Sequence, residues 1–217
     1  MIRELNWYDL YFLVLAMRWT LGLTLIALAG GGAVGLLVAI CGVSANRLTR
    51  AFAHGYVSIV QGIPLLAWLF IFYFGFPAVL GINTAPLLAV SIAFSVYAGS
   101  FLGEIWRGSL LAIPRPQWEA GLSIGLRYLE QLRYVIIPQA IRLATPPTVG
   151  FIVQLIKNTS LAAIVGFVEL TREGQLTTSV TFKPFAVYLL VAGLYFTMCY
   201  PLTRFSRVLE GRLRVAR

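Results

Sequence analysis

The stretch WTLGLTLIALAGGGAVGLLVAICGVSAN, Trp19 to Asn46, holds twenty-eight consecutive uncharged residues enclosed by Arg18 and Arg47. About 20 apolar residues carry a helix across the hydrocarbon of a bilayer, where every backbone polar group must find its partner inside the chain. The run therefore predicts a transmembrane helix within 19 to 43. Composition extends that reading to the whole chain, because 217 residues that are 59% hydrophobic and 12% charged, with a mean hydropathy of +0.83, fall outside the soluble range. The fold class is all-α integral membrane, with one transmembrane domain over 1–217. Residues 1–18 read as an N-terminal interfacial segment, and MIRELNWYDLYF mixes both charge signs with aromatic residues, unlike a cleavable signal. Gly31 and Gly35 form a G-x-x-x-G in the first span, which predicts close packing on a neighbouring helix.

The same criterion gives about five spans. The second lies within 56 to 76, where Gln61, Gly62 and Pro64 interrupt the helical pattern and free carbonyls that a cavity can use. GFPAVLGINTAP, 75 to 86, is turn chemistry. A third helix then runs from near Pro86 to near Glu104, a fourth follows Pro146 and Pro147 to about Phe167, and a fifth lies between Lys183 and Arg204. Charge orients them. The segments before the first span, near 77 to 86 and near 168 to 184 each sum to zero, whereas those after the first, third and fifth spans carry net charges of +2, +2 and +4. By the positive-inside rule the N terminus is outside and the C terminus cytoplasmic. This dispersal also accounts for the net charge of +9 without nucleic acid.

Residues 107–142 form a charged cytoplasmic loop under that orientation. Pro114 and Pro116 precede a pattern that predicts an amphipathic helix at about 117–130, with Trp118, Leu122, Leu126 and Leu129 on one face and Glu119, Ser123, Arg127 and Glu130 on another. Gly121 and Gly125 would leave a shallow notch, and Pro138 would restart the chain before the fourth span. Such a helix either lies in the lipid interface or docks in a protein groove.

The order Glu119, Ala120, Gly125, Ile137, Pro138 resembles the EAA loop of the membrane subunits of bacterial ABC importers. YVSIVQGIPLLAWLFIFYFGFP (56–77), GEIWRGSLLAIPRPQWEAG (103–121), YVIIPQAIRLATPP (134–147) and LIKNTSLAAIVGFVELTREGQ (155–175) are similar to successive blocks of polar amino acid permeases, the branch carrying histidine, glutamine, arginine, lysine, glutamate or opines. Gly121 replaces the usual second alanine, Gln61 a usual arginine, Ile63 a threonine and Gly150 a common asparagine. The resemblance implies a type I ABC importer permease fold in a bacterial inner membrane. It implies two permease subunits, identical or related, on two ATP-binding subunits, with a periplasmic or extracellular solute-binding protein. The loop becomes the coupling helix, with Glu119, Ala120, Gly121, Ser123, Gly125 and Arg127 meeting the ATPase. The solute would be a polar or cationic amino acid or a derivative.

The chain carries no phosphate-cradling G-x-x-x-x-G-K-[ST], no G-x-S-x-G and no H-E-x-x-H. It is read as non-catalytic, with no metal or cofactor of its own; ATP and Mg belong to the partner ATPase. Cys41 and Cys199 read as packing thiols, and His54 as a loop residue. Ionisable groups within the membrane face a cavity or a partner, so Gln61, Glu104, Lys157, Asn158, Thr159 and Ser160 are the candidate path residues. Glu104 can pair with Arg107 or with Lys157. Pairing with Lys157 is the reading behind the polar or cationic solute, because it leaves the path without strong net charge. Two other classes stay open, an ion-gradient-driven secondary transporter and a non-transporting membrane assembly subunit. The first is disfavoured by few membrane carboxylates and no visible inverted repeat, and the second predicts no polar patch at 157–160.

Overall fold

The computed structural model describes residues 3–81 and 84–215, with side chains through residue 211. Its described elements are helical. α1 (Trp7–Gly42) starts where Asn6 and Asp9 form a capping box, the Asn6 side chain accepting from the Asp9 N–H and the Asp9 carboxylate from the Asn6 N–H. The helix thus begins twelve residues before Trp19, inside the segment read as interfacial. α2 (Arg47–Gly62) is capped by Asn46, whose side chain accepts from Leu48 N–H at 2.9 Å.

The break expected at Gln61, Gly62 and Pro64 is present. Ile63 is extended, α3 (Leu65–Phe70) follows, and the two arms of this span bend by 96°. Beyond α3 come a π-helical turn (Ile71–Gly75), α4 (Phe76–Leu80) and Gly81 in the left-handed region. The turn chemistry of 75–86 is therefore confined to its second half, and Asn83 lies outside the described residues. α5 (Pro86–Leu111) runs seven residues past Glu104.

α6 (Arg115–Ser123) is shorter than the amphipathic pattern predicted. Gly125 has φ +80°, a conformation that ends a helix cheaply only without a Cβ, so one face cannot continue to Leu129. α7 (Tyr128–Gln131) then enters a second π-helical turn (Leu132–Ile136) and α8 (Ile137–Asn158). Both π turns stand just before a proline. Phe76 N–H donates to Ile71 O, and Ile137 N–H to Leu132 O, five residues back. Pro77 and Pro138 offer no N–H to the carbonyl four residues back, and the wider turn absorbs the misfit. Pro138 therefore bends a continuous chain instead of restarting it, and Pro146 and Pro147 lie inside α8.

α8 passes into a 3₁₀ turn (Thr159–Val165) that ends at left-handed Gly166. α9 (Leu170–Thr181) and α10 (Pro184–Val215) complete the chain. Four helical stretches are long and apolar enough to cross a membrane, or five when the bent pair counts as one span.

The core lies where α5 packs between α1 and α8. Val34 sits over Gly99 and Val38 over Gly103, while Gly31 and Gly35 face Ala98, Gly99, Leu102 and Gly103 in return. A Cβ on Gly31 would stand 2.5 Å from Ala98 Cβ and 2.9 Å from Gly99 N. The G-x-x-x-G is thus a reciprocal small-residue seam. Phe94, Tyr97, Phe151, Leu155 and Ala162 fill the centre, with Phe101 and Phe151 stacked at 5.3 Å.

Candidate functional site

The C-terminal half of α8 carries the polar residues. Gly150, Gln154 and Lys157 are exposed at spacings of four and three, with Asn158 and Ser160 half-buried beside them. Gln154, Lys157 and Asn158, continued by Ser160 in the 3₁₀ turn, form one polar stripe, and the other side of the helix holds the buried Phe151, Val153, Leu155 and Ile156. Gln154 was legible from that spacing to Lys157 and Asn158, but the sequence reading did not include it.

The structure separates the candidates by role. Thr159 is fully buried, and its hydroxyl donates to Ile156 O at 2.7 Å. Ser160 Oγ donates to Lys157 O at 2.8 Å, leaving its lone pairs available. Tyr195 of α10 packs against Val153 and Ile156 on the buried side of α8. Gln61 is exposed on the last turn of α2, at the break.

Glu104 belongs to another partner. Arg107 Nε donates to Glu104 Oε2 at 2.9 Å, and a second guanidinium nitrogen reaches Oε1. The pair is bidentate and one turn apart on the same helix, so it forms without moving any element. Among the described residues the ion pairs are Arg107–Glu104 and Arg3–Asp9. Lys157 therefore has no carboxylate partner among the described residues, and the Lys157–Glu104 pairing is not formed. Trp106 beside this pair donates to Thr148 of α8 at 3.2 Å.

In the loop, Glu119, Ala120, Ser123, Gly125 and Arg127 are exposed, whereas Gly121 is buried. The Gly121 position is closed by Gln131, whose Cγ would lie 3.0 Å from an added Cβ. The notch expected at Gly121 and Gly125 is thus filled at one residue and is a backbone turn at the other. Trp118 anchors α6 against Ile113, Ile136 and Ala140. Leu122, Ile124, Tyr128 and Leu129 remain 64 to 75% exposed.

Sequence reasoning missed Glu169. It is fully buried and caps α9, accepting from Thr171 N–H at 3.0 Å and Arg172 N–H at 2.9 Å. The Tyr195 hydroxyl donates to the same carboxylate at 2.8 Å. Burial pushes its pKa above the usual carboxylate value, against the lowering effect of those donors. Glu173 is raised too, by burial and by the charge of Asp9.

A family model for the binding-protein-dependent transport system inner membrane component matches residues 31–215. The chain is 33% identical over 201 residues to a probable amino-acid ABC transporter permease protein of Bacillus subtilis (strain 168), covering 93% of this chain and 88% of that one. It is 30% identical to the glutamine transport system permease protein of Escherichia coli (strain K12), with 96% of both covered. A crystal structure of an amino acid ABC transporter with histidines superposes with a TM-score of 0.87 at 28% identity, covering 97% of this chain and 100% of that one. An inward-facing methionine ABC transporter shares the fold at a TM-score of 0.74 and 20% identity, with 91% and 96% covered.

Proposed function

This chain belongs to the inner-membrane components of binding-protein-dependent transport systems and is the permease subunit of an ATP-driven amino acid importer, and from that premise we propose how its residues divide the work. It is a multi-pass protein of a bacterial inner membrane; ATP is hydrolysed in a separate subunit, and a binding protein delivers the solute. The solute path runs along the α8 stripe of Gln154, Lys157, Asn158 and Ser160, with Gln61 at the break of the second span and the Glu104–Arg107 pair at its border. Thr159 stands behind the stripe as support.

One observation carries this reading: exposed polar side chains, one of them a cation, on a span that is otherwise apolar. Facing lipid they would cost several kcal/mol, so they face water, solute or a second permease subunit. Two permease subunits, identical or related, enclose the path. The exposed side of α6 and the turn after it, with Glu119, Ala120, Ser123 and Arg127 and the apolar Leu122 and Ile124, is the surface for one of two ATPases. Closure of the ATPase dimer moves this loop as a rigid piece, because Trp118 ties it to the start of α8.

The solute is a polar amino acid. Glu104 is already neutralised by Arg107, so Lys157 adds a positive charge suited to an α-carboxylate, and the cationic part of the expectation loses its basis. Asn158→Leu and Ser160→Leu in the reconstituted complex should each lower transport at least roughly tenfold, the scale of one or two lost polar contacts, while the ATPase still co-purifies. Wild-type transport in both would remove the stripe from the path.

A further inference from the structure

Glu169 is a buried carboxylate with no cation on it among the described residues, and transport as described so far does not use it. Four elements meet there. It caps α9 through Thr171 and Arg172; Tyr195 of α10 donates to it at 2.8 Å; Leu170 N–H donates to Thr20 Oγ1 of α1 at 3.2 Å. The Tyr195 hydroxyl also meets Thr171 Oγ1 at 3.0 Å, and its ring packs against Val153 and Ile156 of α8. A buried carboxylate without an ion partner is costly unless several donors satisfy it. Here the donors are the joint itself.

We propose that Glu169 is a positioning residue for solute transfer, holding Tyr195 so that Tyr195 fixes the end of α8, where Asn158 and Ser160 are presented. This rests on the reading that Asn158 and Ser160 border the path. The chain of contacts runs from the α9 cap to Tyr195, which packs against Val153 and Ile156 of α8, and Thr159, the one fully buried member of the polar run, is bonded back to Ile156. Two adjoining residues then stand at a fixed angle at the end of α8. A cap alone explains less, since one acceptor suffices for that and aspartate supplies it better than glutamate. The longer side chain is what reaches α10.

That difference gives the test. Asp at 169 keeps the bonds to Thr171 and Arg172 but falls one methylene short of Tyr195, and Tyr195→Phe removes the same bond from the other side. Glu169→Asp, Tyr195→Phe, the double variant and Asn158→Leu are reconstituted with the ATPase and the binding protein, and solute transported per ATP hydrolysed is measured. Both single variants should lower that ratio on the order of tenfold, as one hydrogen bond to a charged acceptor carries, with binding-protein-stimulated ATPase retained. The double variant should be no worse than either. A wild-type ratio in Glu169→Asp or Tyr195→Phe overturns the inference, as do multiplicative losses in the double variant or a parallel fall of ATPase. An impaired Asn158→Leu beside normal Glu169→Asp sinks this inference alone; a normal Asn158→Leu sinks the path reading and the inference with it.

Discussion

At the level of single residues, small side chains and a buried acid set the strongest constraints. Gly31 and Gly35 admit no Cβ without moving α5, since the nearest atoms include the Gly99 and Gly103 backbone nitrogens at 2.9 and 3.0 Å. Gly31→Val should therefore destabilise the assembled complex by about 1–3 kcal/mol, the range for overpacking a tight interface, read as a lower midpoint in thermal unfolding in detergent. Gly22, with open space around it, is the control: Gly22→Val should not lower that midpoint. Glu169 makes a prediction about pH. Its folded pKa is raised by burial, so the folded state keeps the proton to higher pH than the unfolded state. The stability from that protonation is complete below the ordinary glutamate value and is lost as pH rises through the raised one. Glu169→Gln cannot titrate. The midpoint of wild type minus that of Glu169→Gln should fall with rising pH across this window, and a flat or rising difference refutes the assignment. Glu173 is raised as well, by burial and Asp9, but it titrates in both proteins and cancels.

Elements were legible in the sequence wherever an apolar run had to cross the membrane, and less so wherever backbone geometry decided. Arg18 and Arg47 bracketed the first span, yet nothing apolar marks Trp7 as its start; the Asn6–Asp9 capping box does. Prolines misled in two directions. Pro64, two residues after Gly62, breaks a helix by 96°, while Pro138, Pro146 and Pro147 are carried within one, because a π turn and the surrounding helices absorb their missing donors. The Trp118–Leu129 pattern keeps a helical period across a break, and only the φ of Gly125 reveals that α6 stops. In the site, Lys157 to Ser160 stood out as polar residues in an apolar segment. Glu169 and Tyr195 did not, since their meaning lies in a contact between residues twenty-six positions apart. Gly125 supplies the prediction at this scale. Valine in the left-handed region costs about 1–2 kcal/mol, so Gly125→Val should reorient α6 and lower ATP-driven transport. A cysteine at Ser123, exposed on that helix, should crosslink to the ATPase in the parent and much less in Gly125→Val. Crosslinking absent in the parent would reject α6 as the coupling element, and equal crosslinking in both would reject the turn as what orients it.

For the molecule as a whole, the decisive quantity is where its fixed charges fall relative to the path. The net +9 sits mostly at the ends of spans, where water screens it. Two ionic groups border the proposed path, and they differ in kind. The Arg107–Glu104 pair is bidentate and neutral as a unit, whereas Lys157 is exposed on α8 without a carboxylate partner among the described residues. In an enclosed, poorly screened path a lone cation attracts a carboxylate and repels a second ammonium, by about 4 kcal/mol at 4 Å and an effective dielectric constant near 20. Every amino acid brings an α-carboxylate, but lysine and arginine bring an additional positive charge. The permease should therefore transfer zwitterionic amino acids such as glutamine more readily than cationic ones. Because the binding protein also discriminates, the permease's share is isolated by holding that protein constant and changing Lys157 alone. Lys157→Gln should raise the transport of arginine relative to glutamine by at least roughly tenfold, as removal of one unscreened charge contact implies. Competition uptake into proteoliposomes measures the ratio. An unchanged ratio in Lys157→Gln, or arginine outcompeting glutamine in the parent through the same binding protein, would show that Lys157 does not face the solute and would return charge selection to the binding protein.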